Sequence, residues 1–167
     1  LAVLLLGIST TSCEDMLRTE SKVVMYDDEN TLSGVTDTVY SVMGIINKIQ
    51  KIADRTILLG EVRGDLVEPT DHINADLLAI ANFDRITEDN RYNSIVDYYS
   101  IINNCNFFLA HADTTLTINE LKIFEREYAA VLGFRAWTYL QLAQIYGKVP
   151  FVTEPITSGH QANLDNY

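Results

Sequence analysis

The sequence predicts a mainly α fold, built from tetratricopeptide-like helical hairpins with a long loop excursion. Apolar residues recur at three- and four-residue steps over three long segments of the chain. The last two segments are joined by the short polar connection Asp113-Thr114-Thr115, and short connections make neighbouring helices antiparallel. A polar stretch, residues 68–90, separates this hairpin from the first segment and forms the predicted excursion.

The chain opens with an apolar run, Leu1 to Ile8, followed by small residues and then by Cys13. This run is too short to span a bilayer as a helix, which needs about 20 apolar residues. We therefore interpret residues 1–12 as the remnant of a lipoprotein signal peptide, Cys13 as a lipid-modified N-terminus, and residues 13–26 as an extended leader. An ordinary cleaved signal with an incidental cysteine is the alternative interpretation.

Composition and charge restrict the class of protein. The 167 residues are 47% hydrophobic, which is enough for one folded core. A net charge of −11 argues against binding to nucleic acid, whose phosphates need a basic surface. The chain has two cysteines, and lipid on Cys13 would leave Cys105 without a partner, so a disulfide scaffold is not expected.

The first predicted helix begins after the acidic and cap-type residues Asp27 to Asn30 and runs as far as Ala53. Its predicted apolar face comprises Leu32, Val35, Val39, Val42, Met43, Ile45, Ile46, Ile49 and Ile52. A second apolar run covers residues 56–67, where two glycines weaken the pattern of a regular helix. Within the excursion, the segment LLAIANF fits either a short helix or a strand.

Two further helices are predicted, over Asn90 to Ala112 and over Ile118 to Tyr146, with a stop at Gly147. Asparagine competes for the backbone inside a helix, so Asn106 is expected to hydrogen-bond a neighbouring loop. A hairpin of this kind needs a stacked neighbour to bury its outer face. Either the first helical pair is that neighbour, or the rest of the stack lies beyond Tyr167.

Three segments resemble the SusD/RagB family of outer-membrane lipoproteins. YYSIINNCNFFL, at residues 98–109, is similar to a tyrosine, isoleucine and cysteine-asparagine pattern of that family. EREYAAVLGFRAWTYLQLAQIYGKVPFVTEP, at residues 125–155, resembles its helix bearing Arg-Ala-x-x-Tyr that runs into Tyr-Gly-x-Val-Pro. The leader SCEDML resembles the family's lipidated cysteine followed by acids. The resemblance implies that residues 27–167 are the N-terminal portion of a SusD-like helical domain whose C-terminal part is missing.

The resemblance also implies a function. Family members are nutrient-binding lipoproteins that capture an oligosaccharide, or in some members a peptide, and pass it to a SusC-like TonB-dependent transporter. The expected location is the outer membrane, reached through the lipid anchor and facing the cell exterior. The alternative from another class is a tetratricopeptide-type scaffold that binds only protein partners, and a third is a periplasm-facing lipoprotein enzyme.

The excursion supplies the side chains that sugar capture requires, namely flat aromatic faces beside hydrogen-bonding groups. In the SusD/RagB family this excursion contributes to the ligand face. The candidate ligand-binding residues are Asp71, His72, Asn74, Phe83, Arg85 and Tyr92. The alternative is that these residues belong to an ordinary solvated loop.

No catalytic motif is present in the sequence. A Gly-x-Ser-x-Gly elbow, a phosphate loop, a His-Glu-x-x-His sequence and a Cys-x-x-Cys pair are all missing. The three histidines lack the spacing of zinc ligands. We therefore expect a binding protein rather than an enzyme, with neither a metal nor another cofactor.

Overall fold

The computed structural model describes Leu32 and residues 34–64, 67–84 and 87–157. This part of the chain forms four α-helices and one small antiparallel β-hairpin. In chain order they are α1 (Val35–Glu61), α2 (Ala75–Ala81), α3 (Val96–His111), β1 (Thr117–Ile118), β2 (Leu121–Lys122) and α4 (Glu125–Tyr146). The prediction of a mainly α fold is therefore confirmed.

Helices α1 and α3 pack antiparallel. Near the end of α1, the hydroxyl of Thr56 lies 2.9 Å from the hydroxyl of Tyr98 in the first turn of α3. At the opposite end, the N–H of Leu32 donates to the carbonyl of His111 at 3.1 Å. The start of each helix therefore lies beside the end of the other.

Helices α3 and α4 also pack antiparallel, as the short connection predicts. The rings of Tyr98 in α3 and Tyr146 at the end of α4 meet edge to face, with centroids 6.2 Å apart. Further along, Arg135 of α4 donates from Nη1 to the side-chain oxygen of Asn106 at 2.9 Å. Helix α3 is consequently the central helix, with α1 and α4 both packed against it.

The main core lies between these three helices. Burial of apolar side chains there provides the principal stabilisation of the fold. Its buried members are Leu32, Ile45, Ile52, Tyr98, Ile101, Ile102, Cys105, Phe108, Val131 and Leu142. A second, smaller cluster of Leu59, Val62 and Ile80 joins the end of α1 to α2.

An extended segment after α4, residues 150–156, lies against α3 and α4 and is called here the docked segment. Helix α4 ends at Tyr146, and Gly147 has φ +79°, a conformation that favours glycine. The hydroxyl of Tyr99 then donates to the carbonyl of Pro150 at 2.6 Å. Tyr139 both donates to the carbonyl of Val152 at 2.8 Å and accepts from its N–H at 2.7 Å.

Two asparagines of α3 complete the docking. The side chain of Asn103 donates to the carbonyl of Ile156 at 2.9 Å and accepts from its N–H at 2.7 Å. The buried amide of Asn106 donates to the carbonyls of Val152 and Glu154 at 3.0 and 3.2 Å. The predicted hydrogen bond from Asn106 to a neighbouring loop is confirmed. Side chains of α3 and α4 bond the backbone N–H and C=O groups of the docked segment, as the backbone of a neighbouring strand would in a sheet.

The helix boundaries differ from those predicted. Helix α1 does not end at Ala53 but continues to Glu61, because Leu59 and the following Val62 are buried against α2. Packing of this kind overrides the weak helix propensity of a glycine. Helix α3 begins at Val96 rather than at Asn90. The buried side chain of Asn90 instead accepts a hydrogen bond from the N–H of Tyr92 in the turn before the helix.

The predicted start of α4 at Ile118 is also wrong. Residues 117–122 form the β-hairpin, in which Ile118 pairs with Leu121. Asn119 and Glu120 have φ of +51° and +67°, and positive φ at both central residues is the conformation of a type I′ turn. Each strand has two residues, which is too short for the alternation of apolar and polar residues by which a strand is recognised in a sequence.

The predicted apolar face of α1 is only partly buried. Ile45 and Ile52 are buried against α3 and α4, whereas four other predicted members are exposed. These four, called here the α1 stripe, are Val35, Val39, Met43 and Ile46. Leu32, predicted in the helix, instead precedes it and forms a parallel bridge to Ala112. The apolar arc of α1 is thus wider than the surface that α3 and α4 cover.

Cys105 is fully buried in the core, and this burial raises the pKa of its thiol to about 12, against a lesser lowering by Arg135. A Cys13→Ser variant keeps Cys105 as its remaining cysteine. We expect the thiol of Cys105 to resist thiol reagents in the native protein and to react fully in the unfolded protein, because only the thiolate reacts. Since the folded pKa exceeds the unfolded value of about 8.5, this thiol contributes stability that is present below pH 8.5 and lost as pH rises toward 12. Equal labelling rates in the native and unfolded states would contradict this prediction.

Candidate ligand-binding site

Helix α2 and its flanking loops form the excursion between α1 and α3. Asn74 caps α2, since its side-chain oxygen accepts the N–H of Leu77 at 3.0 Å. The nitrogen of the same amide donates to the hydroxyl of Tyr92 at 3.1 Å. Asn74 therefore connects the start of α2 to the loop that leads into α3.

Further contacts hold this loop against α2. The buried Asn90 donates to the carbonyl of Asp76 at 2.9 Å and accepts the N–H of Tyr92 at 3.0 Å. Arg91 and the carboxylate of Asp76 form an ion pair at 2.9 Å, and their hydrogen bond raises the pKa of Arg91. Because this pair is solvent-exposed it adds little stability, and the amide contacts of Asn90 provide the firmer attachment.

A cleft of about 280 Å³ lies where the excursion meets the end of α1. Its lining is mixed: apolar residues that include Leu58, Val62 and Leu77 are joined by residues whose side chains can hydrogen-bond. These polar members are Glu68, Thr70, His72 and Asn74. A largely apolar lining with a few polar groups suits a ligand that has both apolar surface and hydroxyl groups.

Phe83 terminates α2 in an unusual conformation. The N–H of Asp84 donates to the carbonyl of Ala79 at 2.9 Å, and that of Phe83 donates to Ile80 at 3.2 Å. These two bonds form a Schellman motif, whose left-handed position is usually occupied by glycine. Phe83 occupies it with φ +57°, and its side chain is 71% exposed. An exposed aromatic ring is therefore held at a position where a bulky residue is strained.

The structure brings some of the predicted residues together and separates others. His72 and Asn74 line the same cleft, and Asp71 lies exposed beside it. Tyr92 contacts Asn74, but its ring is half-buried against the second core cluster. Phe83 lies at the other end of α2, roughly 13 Å from Asn74 along the helix axis. A ligand that contacts both the cleft and Phe83 must therefore be extended.

Other predictions lie outside the described residues. These are Arg85, the lipidation site Cys13, the signal remnant at residues 1–12 and the leader at residues 13–26. Within the described part of the chain, no three potential metal ligands come together. None of the helices described there is long and apolar enough to cross a bilayer.

Sequence reasoning missed a second cleft, of about 660 Å³, at the end of α4. Phe151 is 61% exposed there, and its ring lies 4.9 Å from that of Tyr139. Lys148 also lines this cleft. The available signal was an aromatic residue immediately after Pro150, beyond the end of the predicted helix.

Comparisons of the chain with protein-family models, curated proteins and solved structures found no match.

Proposed function

We propose that the chain is the N-terminal portion of a SusD/RagB-like surface lipoprotein that binds an oligosaccharide and does not catalyse its breakdown. In this proposal Cys13 carries the lipid that anchors the protein to the outer membrane, facing the cell exterior. A SusC-like TonB-dependent transporter is the partner that receives the bound nutrient. The resemblance of residues 98–109 and 125–155 to that family supports the proposal.

The observation that carries the proposal is the exposed ring of Phe83 at a left-handed backbone position. A non-glycine residue with this backbone costs about 1–2 kcal/mol. Strain of this kind is concentrated at functional sites. An exposed aromatic face that is retained despite this cost suits stacking against the apolar face of a sugar ring.

The cleft beside α2 supplies the complementary polar groups. Glu68 accepts hydrogen bonds from hydroxyl groups, whereas Thr70 both donates and accepts them. His72 provides one donor and one acceptor when neutral. The roughly 13 Å between Asn74 and Phe83 along α2 matches a chain of two or more sugar rings better than a monosaccharide.

Replacing Phe83 with glycine is expected to change stability and binding in opposite directions. Relief of the left-handed strain, reduced by the greater freedom of unfolded glycine, should raise the free energy of unfolding by about 0.5–1 kcal/mol. Loss of the ring should weaken oligosaccharide binding at least about tenfold, equivalent to about 1.4 kcal/mol. Urea denaturation and calorimetric titration with maltoheptaose, xylohexaose and mannohexaose measure the two effects.

Tyr40→Ala is the matched control, because Tyr40 is an aromatic residue on α1 with the same 71% exposure as Phe83 and lines neither cleft. It should leave binding unchanged. Equal binding by the wild-type and Phe83→Gly proteins would exclude Phe83 as a stacking platform. Absence of binding to every oligosaccharide tested would count against the oligosaccharide class itself.

A second candidate function, a scaffold that binds only proteins, is favoured by the α1 stripe. The stripe presents apolar side chains at the spacing of one helical face, with Val35 54% and Met43 57% exposed. A helical partner could cover such a face in the manner of tetratricopeptide repeats. The two functions differ in which substitutions abolish binding, because oligosaccharide binding depends on Phe83 and scaffold binding depends on the stripe.

A further inference from the structure

The outer face of helix α4 carries no charged side chain over most of its length. From Tyr128 to Tyr146 the one charged residue is Arg135, which bonds to Asn106 of α3. On its inner face the helix buries Val131, Thr138 and Leu142. The residues on the opposite face are all exposed and none is polar. They are called here the α4 face and comprise Ala129, Leu132, Gly133, Ala136, Leu140 and Ala143.

Such a face is unusual on the surface of a folded protein. A surface helix normally presents charged and polar side chains opposite its buried stripe. Charged residues make up 21% of this chain, yet none of them lies on the α4 face. Leu132 and Leu140 are instead 39% and 52% exposed. A helix that is apolar on both sides is normally covered on both sides, and contiguous exposed apolar surface marks an interaction site.

The two ends of the α4 face carry opposite charges. At its C-terminal end lies Lys148, which is exposed and forms no ion pair with a carboxylate of the described chain. At its N-terminal end, residues 125–127 contain two glutamates and one arginine, so this end is negative. Glu125 lies one turn before Ala129 and pairs with Lys122, but both side chains are exposed and the pair is weak.

We propose that the α4 face is the interface of a homodimer, in which α4 of one chain packs antiparallel against α4 of a second copy about a twofold axis close to Ala136. Such an interface brings the same surface of both copies together, so a residue before the axis faces one that lies equally far after it. Leu140 then lies opposite Gly133 of the second copy. Because the space into which a Cβ of Gly133 would project is open, this position can receive the leucine side chain.

Charge favours a second copy as the occupant of this face. The register that places Leu140 opposite Gly133 also brings Glu125 of each chain opposite Lys148 of the other, once at each end of the interface. A parallel pair would instead bring like charges together. Antiparallel packing also places the positive N-terminal end of each helix dipole beside the negative C-terminal end of the other.

The size of the face sets the expected strength of the dimer. Helix α4 has 22 residues and is therefore roughly 33 Å long. A single helical face is smaller than the roughly 800 Å² that each partner buries in a typical stable complex, so we expect a weak dimer with a Kd in the micromolar range. The inference is independent of the proposed sugar binding, because no residue of the α4 face lines the cleft beside α2.

Sedimentation equilibrium of the whole chain under reducing conditions tests the proposal, over concentrations of about 1–200 µM that bracket a micromolar Kd. The average mass of the wild-type protein should rise toward twice that of one chain. Ala136→Glu places two carboxylates against each other at the axis and should raise the Kd at least about tenfold. Met43→Glu is the matched control, because it adds the same charge at an exposed helical position on the α1 stripe, and it should leave the Kd unchanged.

Exchanging the charges at the two ends tests the antiparallel register. Glu125→Lys alone and Lys148→Glu alone each bring like charges together in a homodimer, so each variant should dimerise more weakly than the wild-type protein. Mixed together, the two variants should form a heterodimer in which both end pairs are again of opposite charge. Both substituted residues are exposed, so each variant should keep the circular dichroism spectrum of the wild-type protein.

A wild-type chain that stays monomeric at the highest concentration would overturn the proposal and leave the α4 face to a different protein. Equal Kd values for the wild-type and Ala136→Glu proteins would overturn it as well, because the dimer would then use another surface. A mixture of the two charge variants that associates no better than either variant alone would exclude the antiparallel twofold arrangement.

Discussion

Replacing Phe108 with alanine is expected to lower the free energy of unfolding by about 3–5 kcal/mol. Phe108 is 1% exposed and lies in the core that joins α1, α3 and α4. Truncation removes the apolar ring from this core and leaves a cavity that rigid helices fill only in part. Urea denaturation followed by circular dichroism measures the change. The expected loss is a large fraction of the stability of an ordinary domain.

Tyr40→Ala is the matched control, because it also truncates an aromatic residue to alanine inside a helix. The side chain of Tyr40 is 71% exposed on α1, so its removal should change stability by no more than about 0.5 kcal/mol. Similar losses in both variants would indicate that α3 is not the central helix of the folded chain.

Replacing Asn106 with leucine is expected to lower the free energy of unfolding by about 2–4 kcal/mol. The substitution keeps the size of the side chain but removes its amide. The carbonyls of Val152 and Glu154 then lose a donor, and Arg135 loses the acceptor that lies 2.9 Å from its Nη1. Most of the cost comes from the guanidinium of Arg135, because a charged donor at a partly buried position loses the amide oxygen that accepts its hydrogen bond.

The change should be largest in the docked segment. Hydrogen exchange at the N–H groups of Val152 and Ile156 should become faster than in the wild-type protein, because the segment opens locally before the helices unfold. Asn104→Leu provides the control within the same helix, since among the described residues the side chain of Asn104 bonds within α3, to the carbonyl of Ser100. A stability loss no greater than that of Asn104→Leu would show that the amide of Asn106 does not hold the segment in place.

Prediction from sequence succeeded where local physics decides the outcome. The three- and four-residue apolar spacing is a property of each helix alone, and it located the bodies of α1, α3 and α4. The stop at Gly147 was also correct, because a left-handed backbone favours glycine in any context. Similarly, the role of Asn106 followed from the poor fit of asparagine within a helix.

The candidate site was only partly predictable. His72 and Asn74 were assigned to a polar loop, and they do line one cleft. The strain at Phe83 could not be foreseen, because it results from the way α2 ends and not from the identity of the residue.

The sequence by itself determined that this protein is mainly α-helical, where its long helices lie and that its excursion is polar. These properties depend on periodicity, charge and backbone preference over a few neighbouring residues. Only the tertiary structure decided how far α1 extends, which part of its apolar arc remains as the α1 stripe, and where the docked segment lies. The physical reason is that burial and hydrogen bonding between distant segments depend on how the helices pack against one another, which local sequence does not contain.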